Sequence, residues 1–205
     1  RILAAWEPYN KLTDAQKALL ANEDILIAAV EKYNNLEKEI TELSAEMNSL
    51  NPSRITLADK YEVEGFRARY AALDEYQKAA FDTGVYQKLV DSETKIAQLE
   101  ARKARIDAVI AKIEAIGEVK ADDASDAKIN EARNAYDALL DQTEKDEVTN
   151  YNTLLAAEAK FTDLVKAGAV SALIAEIGNV TLESEDAIIA AEEAYEEARE
   201  IEAER

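Results

Sequence analysis

The sequence predicts an all-α protein made of tandem three-helix bundles, which long, continuous shared helices join into an elongated rod. Three observations predict this fold class. The 205 residues include only 5 Gly and 2 Pro, so long helices can run without interruption. Apolar residues recur in steps of three and four along several long stretches, as in helices that pack on one another. Landmark residues also repeat about every 60 residues, a period typical of tandem structural units.

The N-terminal part predicts a helix that ends near Leu12, followed by a short helix that starts with a capping box over Thr13–Gln16. A long helix then begins after Asn22. It ends at Asn51-Pro52, where we expect Asn51 to adopt the left-handed backbone conformation and Pro52 to prevent continuation. The three-four alternation along this helix is unbroken at Leu26, Ala29, Tyr33, Leu36, Ile40, Leu43, Met47 and Leu50.

The longest predicted helix runs from Val85 to Gly117, after a medium helix over Thr56–Leu73 and a short one over Asp74–Phe81. Neither Pro nor Gly interrupts it before Gly117, so about 32 residues at 1.5 Å each give a length of about 48 Å. Its apolar seam has two polar positions, Ser92 and Lys103; the other members are Val85, Leu89, Ile96, Leu99, Ile106, Ile110 and Ile113. We then expect medium, short, long and medium helices over 125–140, 143–148, 150–177 and from 184.

This order of helices repeats with Tyr9, Tyr70, Tyr136 and Tyr195, which are 61, 66 and 59 residues apart. The repeat predicts that the N-terminal half of each long helix completes one bundle and that its C-terminal half opens the next. The predicted divisions are an incomplete repeat, two complete repeats and a second incomplete repeat, over 1–38, 39–100, 101–163 and 164–205. Because their apolar faces lack partners, the two incomplete repeats should be less stable.

The composition argues against binding of nucleic acids or anionic membranes and against sites that depend on Cys or His. The chain has 24 Lys and Arg against 43 Asp and Glu, a net charge of -19 that repels nucleic acids and anionic membranes. Cys and His are both absent from the sequence, so thiolate and imidazole metal ligands, Cys nucleophiles and Ser-His-Asp triads are not available. We therefore expect neither enzymatic activity nor a cofactor. With no signal peptide or membrane-spanning run, and Arg1 in place of Met, the sequence is expected to be a fragment that does not insert into a membrane.

Two acidic clusters are candidate sites. The loop with Asp122, Asp123 and Asp126 offers hard oxygen ligands for Ca²⁺. It lacks the order and the Gly of an EF-hand, so a solvated loop whose charges favour a helix N-terminus is the preferred interpretation. Paired carboxylates could also carry glycosidase chemistry, but these lie one helical turn apart on an expected exposed face with no cleft; they are Glu192, Glu193, Glu196 and Glu197.

The repeated tyrosines and the single tryptophan are candidate binding residues. Tyr9, Tyr70 and Tyr136 could stack on a ligand, but each has a Leu three residues later on the same helix face, which favours a core position. Tyr195 stands where a fourth member would begin. Trp6 could be an exposed anchor for a partner, although a core residue that has lost its partner is the preferred interpretation.

Residues 109–158 carry a pattern that resembles a known module. The pattern comprises IEAIGEV from Ile113, ARNAYDAL from Ala132, VTNY from Val148 and LLAAE from Leu154, and IAEIGNVTLES from Ile174 repeats its first part. It is similar to the tandem three-helix repeats of long extracellular proteins from Gram-positive, especially clostridial, bacteria. Spectrin-type rods share this architecture by analogy.

The resemblance implies a monomeric, non-catalytic spacer or stalk of a cell-surface protein, located outside the cell and attached through other segments. In a bacterial protein the glycosylation sequon Asn179-Val180-Thr181 then has no expected role. The alternative function is an adhesin-type module whose helix face recognises a host or matrix protein; exposed apolar residues on two adjacent helices would favour it. A third hypothesis, an enzyme that uses only carboxylates, would require a concave pocket lined by two acidic residues.

Overall fold

The computed structural model describes residues 2–181 and 183–203, and throughout these ranges the only regular structure is helical. The all-α prediction is confirmed. Leu182, which is part of the repeated pattern above, lies outside the described residues. The α-helices are α1 (Ile2–Asn10), α2 (Asp14–Lys17), α3 (Glu23–Asn48), α4 (Lys60–Ala72), α5 (Glu75–Ala80), α6 (Thr83–Glu114), α7 (Asp123–Asp137), α8 (Gln142–Asp146), α9 (Tyr151–Ile177) and α10 (Glu185–Ala203).

The helices belong to two units, Arg1–Glu100 and Ala101–Arg205, and α6 contributes residues to both. In the first unit, α3, α4 and the N-terminal half of α6 supply most of the core. In the second, the C-terminal half of α6, α7 and the N-terminal half of α9 do so. The most buried apolar side chains of the two cores are Leu43, Met47, Val63 and Leu89 in the first and Val109, Ile113, Ala132 and Leu154 in the second.

Side-chain caps start the short helices. The predicted capping box of α2 is confirmed, since the backbone N–H of Gln16 donates to Thr13 Oγ1 (3.3 Å) and the backbone N–H of Thr13 donates to Gln16 Oε1 (2.9 Å). Asp74 and Gln77 form the same reciprocal pair at α5, at 2.8 and 3.0 Å. Such bonds satisfy backbone N–H groups that the first helical turn leaves without partners. These helices therefore begin at positions that local sequence alone determines.

The end of α3 differs from the prediction. Asn51 has φ -123°, so the expected left-handed conformation is wrong. The last turn of α3 instead tightens, because the Ser49 and Leu50 N–H groups donate three residues back, at 3.1 Å each. Asn51 is extended because helical conformation is disfavoured immediately before Pro52, which starts a 3₁₀ turn. Within the described residues, left-handed backbone occurs only after α6 and α9, at Gly117 (φ 66°) and Gly178 (φ 54°).

The seam of α6 agrees with the prediction except at Lys103. Ser92 is buried as expected, together with its apolar neighbours. Lys103 is a wrong assignment: its side chain is 59% exposed and pairs with Asp107 at 2.6 Å. Arg102 is the half-buried residue instead, because Glu147, which follows α8, accepts a hydrogen bond from its guanidinium at 2.7 Å. The other predicted seam residues of this half, Ile106, Ile110 and Ile113, belong to the second core or pack against it.

Ser92 places a polar group in the first core. Its hydroxyl is fully buried and has no hydrogen-bond partner, and an unsatisfied buried polar group destabilises the folded state. In the second unit Ala157 occupies the equivalent position, three residues after a fully buried Leu. We expect Ser92→Ala to raise the free energy of unfolding by about 1 kcal/mol, as measured by urea denaturation. The reverse change, Ala157→Ser, should lower it, and a stability loss in Ser92→Ala would contradict this account.

Candidate functional site

Each unit contains one set of four side chains, which we call the arginine cluster. It comprises Arg67, Tyr70, Tyr86 and Glu93 in the first unit and Arg133, Tyr136, Tyr151 and Glu158 in the second. The Arg and the first Tyr lie three residues apart on α4 or α7. The second Tyr and the Glu lie seven residues apart on α6 or α9. The cluster therefore joins the same two types of helix in both units.

In the second cluster, a bidentate Arg–Glu ion pair lies beside two stacked tyrosine rings. Nε and Nη2 of Arg133 donate to the two carboxylate oxygens of Glu158, each at 2.6 Å. The guanidinium carbon lies 5.6 and 5.5 Å from the centroids of Tyr136 and Tyr151, whose rings stack at 4.2 Å. The hydrogen bonds to Glu158 raise the pKa of Arg133 above its usual value. Bidentate pairing and cation–π contact both suit a planar guanidinium, so we assign the cluster a structural role.

The first cluster repeats this geometry. Arg67 donates to both carboxylate oxygens of Glu93, each at 2.5 Å, and the Tyr70 and Tyr86 rings lie 4.5 Å apart. Tyr136 is buried and Tyr70 half-buried. Sequence reasoning identified the first Tyr of each cluster but missed the Arg and Glu. The missed signal was Arg three residues before that Tyr, combined with Glu seven residues after the second one.

The N-terminal helices carry an apolar version of the same positions. Alignment of Leu26, Ala29 and Tyr33 with Leu154, Ala157 and Phe161 places Val30 where Glu158 lies, and alignment of Tyr9 with Tyr136 places Trp6 where Arg133 lies. Val30 is buried and Trp6 half-buried. The Trp6 ring stacks on Tyr9 at 5.1 Å, and the Tyr9 hydroxyl donates to Glu23. Here an apolar pair of residues takes the two positions of the ion pair.

On α10, an acidic residue occupies the position that the arginine takes in the arginine cluster. Alignment of Ser184, Ala191 and Tyr195 with Ser125, Ala132 and Tyr136 places Glu192 at the position of Arg133. Tyr195 is 57% exposed, whereas Tyr136 is only 8% exposed. The candidate carboxylates of this helix are all exposed, and Glu196 pairs with Arg199 at 3.3 Å; they are Glu192, Glu193, Glu196 and Glu197.

A groove of about 480 Å³ lies between α9 and α10. Its lining includes Ala167, Val170, Ile174 and Tyr195. Their equivalents in α6 and α7 are core residues. For example, Ile113 is 1% exposed, whereas its equivalent Ile174 is 55% exposed. The groove therefore lies between residues whose equivalents in α6 and α7 form a core.

The short helices place a polar side chain against the preceding long helix. Gln77 of α5 is buried and donates to Glu39 of α3 at 3.0 Å. Its counterpart Glu144 of α8 is buried as well, pairs with Arg105 of α6, and accepts the Leu140 N–H at 3.0 Å. The guanidinium of Arg105, and then that backbone bond, lower the pKa of the Glu144 carboxyl. The pairing of Glu144 with Arg105 joins residues 39 apart in the sequence, so only the tertiary structure shows it.

Glu144 should make stability depend on pH. Its pKa is lower in the folded state than its ordinary value of 4.5, so its stabilisation is present above pH 4.5 and lost as pH falls through the folded pKa. We expect Glu144→Gln, which copies Gln77, to be less stable than the parent at pH 7 and equally stable once Glu144 is protonated. Urea midpoints measured between pH 7 and pH 3 test this. An unchanged difference between the two proteins over that interval would contradict it.

The remaining candidates have local roles. Asp122 caps α7, since the Ser125 N–H donates to its Oδ1 at 2.8 Å, and this bond lowers the pKa of Asp122. Asp123 and Asp126 are exposed in the first turn of α7. Within 2–181 and 183–203, no group of three or more acidic side chains is arranged to hold a metal ion. Residues 179–181 are exposed between α9 and α10.

Comparisons with known proteins add no assignment. No family model matches the chain, and neither a curated protein nor a solved structure gives a match. In the described part of the chain, no helix combines the length and apolar character needed to cross a bilayer. Function must therefore be argued from the helices, the clusters and the groove themselves.

Proposed function

We propose that this chain is a non-catalytic spacer segment of a bacterial cell-surface protein, built from tandem three-helix bundles that position other domains outside the cell. The observation that carries the proposal is α6. This one helix, uninterrupted over Thr83–Glu114, supplies Leu89 and Ile96 to the first core and Ile106 and Ile113 to the second. A continuous hydrogen-bonded helix resists bending far better than a loop, so a shared helix favours a fixed spacing between neighbouring units.

Repetition and charge support the same role. The arginine cluster recurs with the same residue types in both units, which is expected of a module repeated to gain length. The net charge of -19 keeps such segments soluble and mutually repelling. The resemblance to tandem repeats of Gram-positive surface proteins points to the extracellular location, with a monomer as the expected state.

A flexible insertion tests the spacer. Spin labels at exposed sites of α4 and α7 should give a narrow distribution of distances in the parent protein. A Gly-rich insertion after Gln98 should broaden that distribution while both units keep their amide protection. An Ala-rich insertion of equal length is the control and should shift the distances without broadening them. A broad distribution in the parent, loss of both units upon Gly insertion, or a globular small-angle scattering profile would contradict the proposal.

A second candidate function is a helical binding module. The observation that favours it is the groove, since Ile174 and Tyr195 are exposed on the adjacent helices α9 and α10. Apolar patches of this kind often mark sites where another polypeptide docks. The two functions are compatible, because a spacer can carry a docking face.

A further inference from the structure

The contact between a short helix and the preceding long helix differs in charge between the two units. In the first unit, Gln77 of α5 donates to Glu39 of α3 at 3.0 Å, and its Oε1 accepts the Asp74 N–H. In the second unit, the equivalent residues of α8 and α6 are Glu144 and Arg105, which form an ion pair. The carboxylate therefore lies on the long helix in the first unit and on the short helix in the second.

A second pair of positions, one helical turn away, extends this difference. Arg102 of α6 donates to Glu147, which follows α8, at 2.7 Å. The equivalent residues of the first unit are Leu36 and Ala80. The surface of α6 that receives α8 is therefore basic and its partner is acidic, whereas the corresponding surface of α3 presents Leu36 and Glu39.

The other charges on this part of α3 do not change its sign. Lys38 is paired with Glu42 at 3.7 Å. Arg69 of α4 is paired with Glu46. The net charge of this surface is therefore that of Glu39, which is negative.

The arginine cluster, in contrast, does not distinguish the two units. It pairs Arg67 with Glu93 in the first unit and Arg133 with Glu158 in the second. Such repetition allows helices of neighbouring units to pair incorrectly, a characteristic failure in the folding of repeat proteins. Correct pairing is favoured by a contact that is attractive within a unit and repulsive between units.

We propose that the contact between the short and long helices selects the correct partner for α8 when the chain folds. Pairing of α8 with α3 would place the Glu144 carboxylate against Glu39, and Glu147 against Leu36. Both acidic groups would lose their guanidinium partners, and juxtaposed like charges disfavour an association. Pairing of α5 with α6 would leave the two arginines of α6 without a carboxylate. This selection concerns assembly of the units and goes beyond the spacer role.

The test reverses the polarity of the ion pair in the second unit. Arg105→Glu with Glu144→Arg keeps an ion pair within the unit, but the new arginine on α8 also complements Glu39. Because the chain contains no Cys, two can be introduced for spin labels, at the exposed residues Gln142 of α8 and Ala108 of α6. After refolding from urea at high dilution, we expect the variant to raise the share of molecules outside the native distance population about tenfold.

Compensating changes in the first unit are the matched control. Glu39→Arg with Gln77→Glu gives α3 and α5 the charges of α6 and α8, so it should repel the new arginine and restore one population. If the reversed pair prevents folding, Arg105→Glu with Glu144→Gln replaces it, because this variant copies the native pair of the first unit. It should also increase incorrect pairing, since the amide is not repelled by Glu39.

Two outcomes would overturn the proposal. One is a single distance population in the folded variants. The other is a second population that the changes on α3 and α5 do not remove. Neither outcome bears on α6 as a shared helix, so the spacer function is tested separately by the flexible insertion.

Discussion

Replacing Leu154 with Ala should lower the free energy of unfolding of the second unit by about 2–5 kcal/mol, as large-to-small changes in well-packed cores do. Leu154 is fully buried at the centre of the core formed by α6, α7 and α9. The loss has two sources: the removed apolar surface, and a cavity that rigid neighbouring helices cannot fill. Urea denaturation with amide hydrogen exchange measures the loss and locates it, with reduced protection expected along α7 and α9.

The adjacent residue provides the control. Leu155 lies on the same helix and has the same side chain, but it is 43% exposed. Leu155→Ala should therefore change the free energy of unfolding by less than about 1 kcal/mol. Similar losses in the two variants would contradict the assignment of the loss to core packing, because Leu→Ala does not lower helix propensity.

Arg133 and Glu158 of the arginine cluster should show strong energetic coupling when they are replaced by Trp and Val, the residues at the equivalent positions 6 and 30. Arg133→Trp alone removes the counterion of Glu158, and Glu158→Val alone removes the carboxylate that accepts both hydrogen bonds of the Arg133 guanidinium. Because both side chains are less than one-third exposed, we expect each single variant to lose about 1–3 kcal/mol. The double variant copies Trp6 and Val30 and should recover most of the loss, which a double-mutant cycle in urea measures as a coupling free energy of about 1–3 kcal/mol.

A conservative variant separates charge from geometry in this cluster. Arg133→Lys keeps the positive charge but loses the bidentate hydrogen bonds and the contact of the planar guanidinium with the two tyrosine rings, so its stability should lie between those of the parent and Arg133→Trp. Additive losses in the cycle would indicate that the two positions do not interact.

Much of the fold could be predicted from local signals. The long helix from Val85 is predicted because apolar residues recur in steps of three and four and because Gly and Pro are absent between Val85 and Gly117; in the structure it begins two residues earlier, at Thr83, and includes Gly84. Capping residues marked the start of α2, where Thr13 and Gln16 exchange hydrogen bonds. Both signals act over a few residues, so they can be recognised without knowing which helices are neighbours.

The missed features depend on neighbours. A continued heptad assigns Lys103 to the seam, but in the structure Lys103 is exposed and the half-buried Arg102 pairs with Glu147. Glu144 repeats the position of Gln77 in the sequence, but its ion pair with Arg105 depends on how α8 packs on α6. The fork between Arg133 and Glu158 joins residues 25 apart, a separation at which single-sequence periodicity carries no information.

The sequence by itself determined the helical class, the order of long, medium and short helices, and the repeat marked by Tyr9, Tyr70 and Tyr136, because these follow from periodicity and capping along the chain. The tertiary structure alone decided which side chains are buried, which ions pair, and that Tyr195 is exposed where Tyr136 is covered. The physical reason is that burial is a property of the neighbouring helix. The same residue type lies in a core when a covering helix is present and in an open groove when it is not.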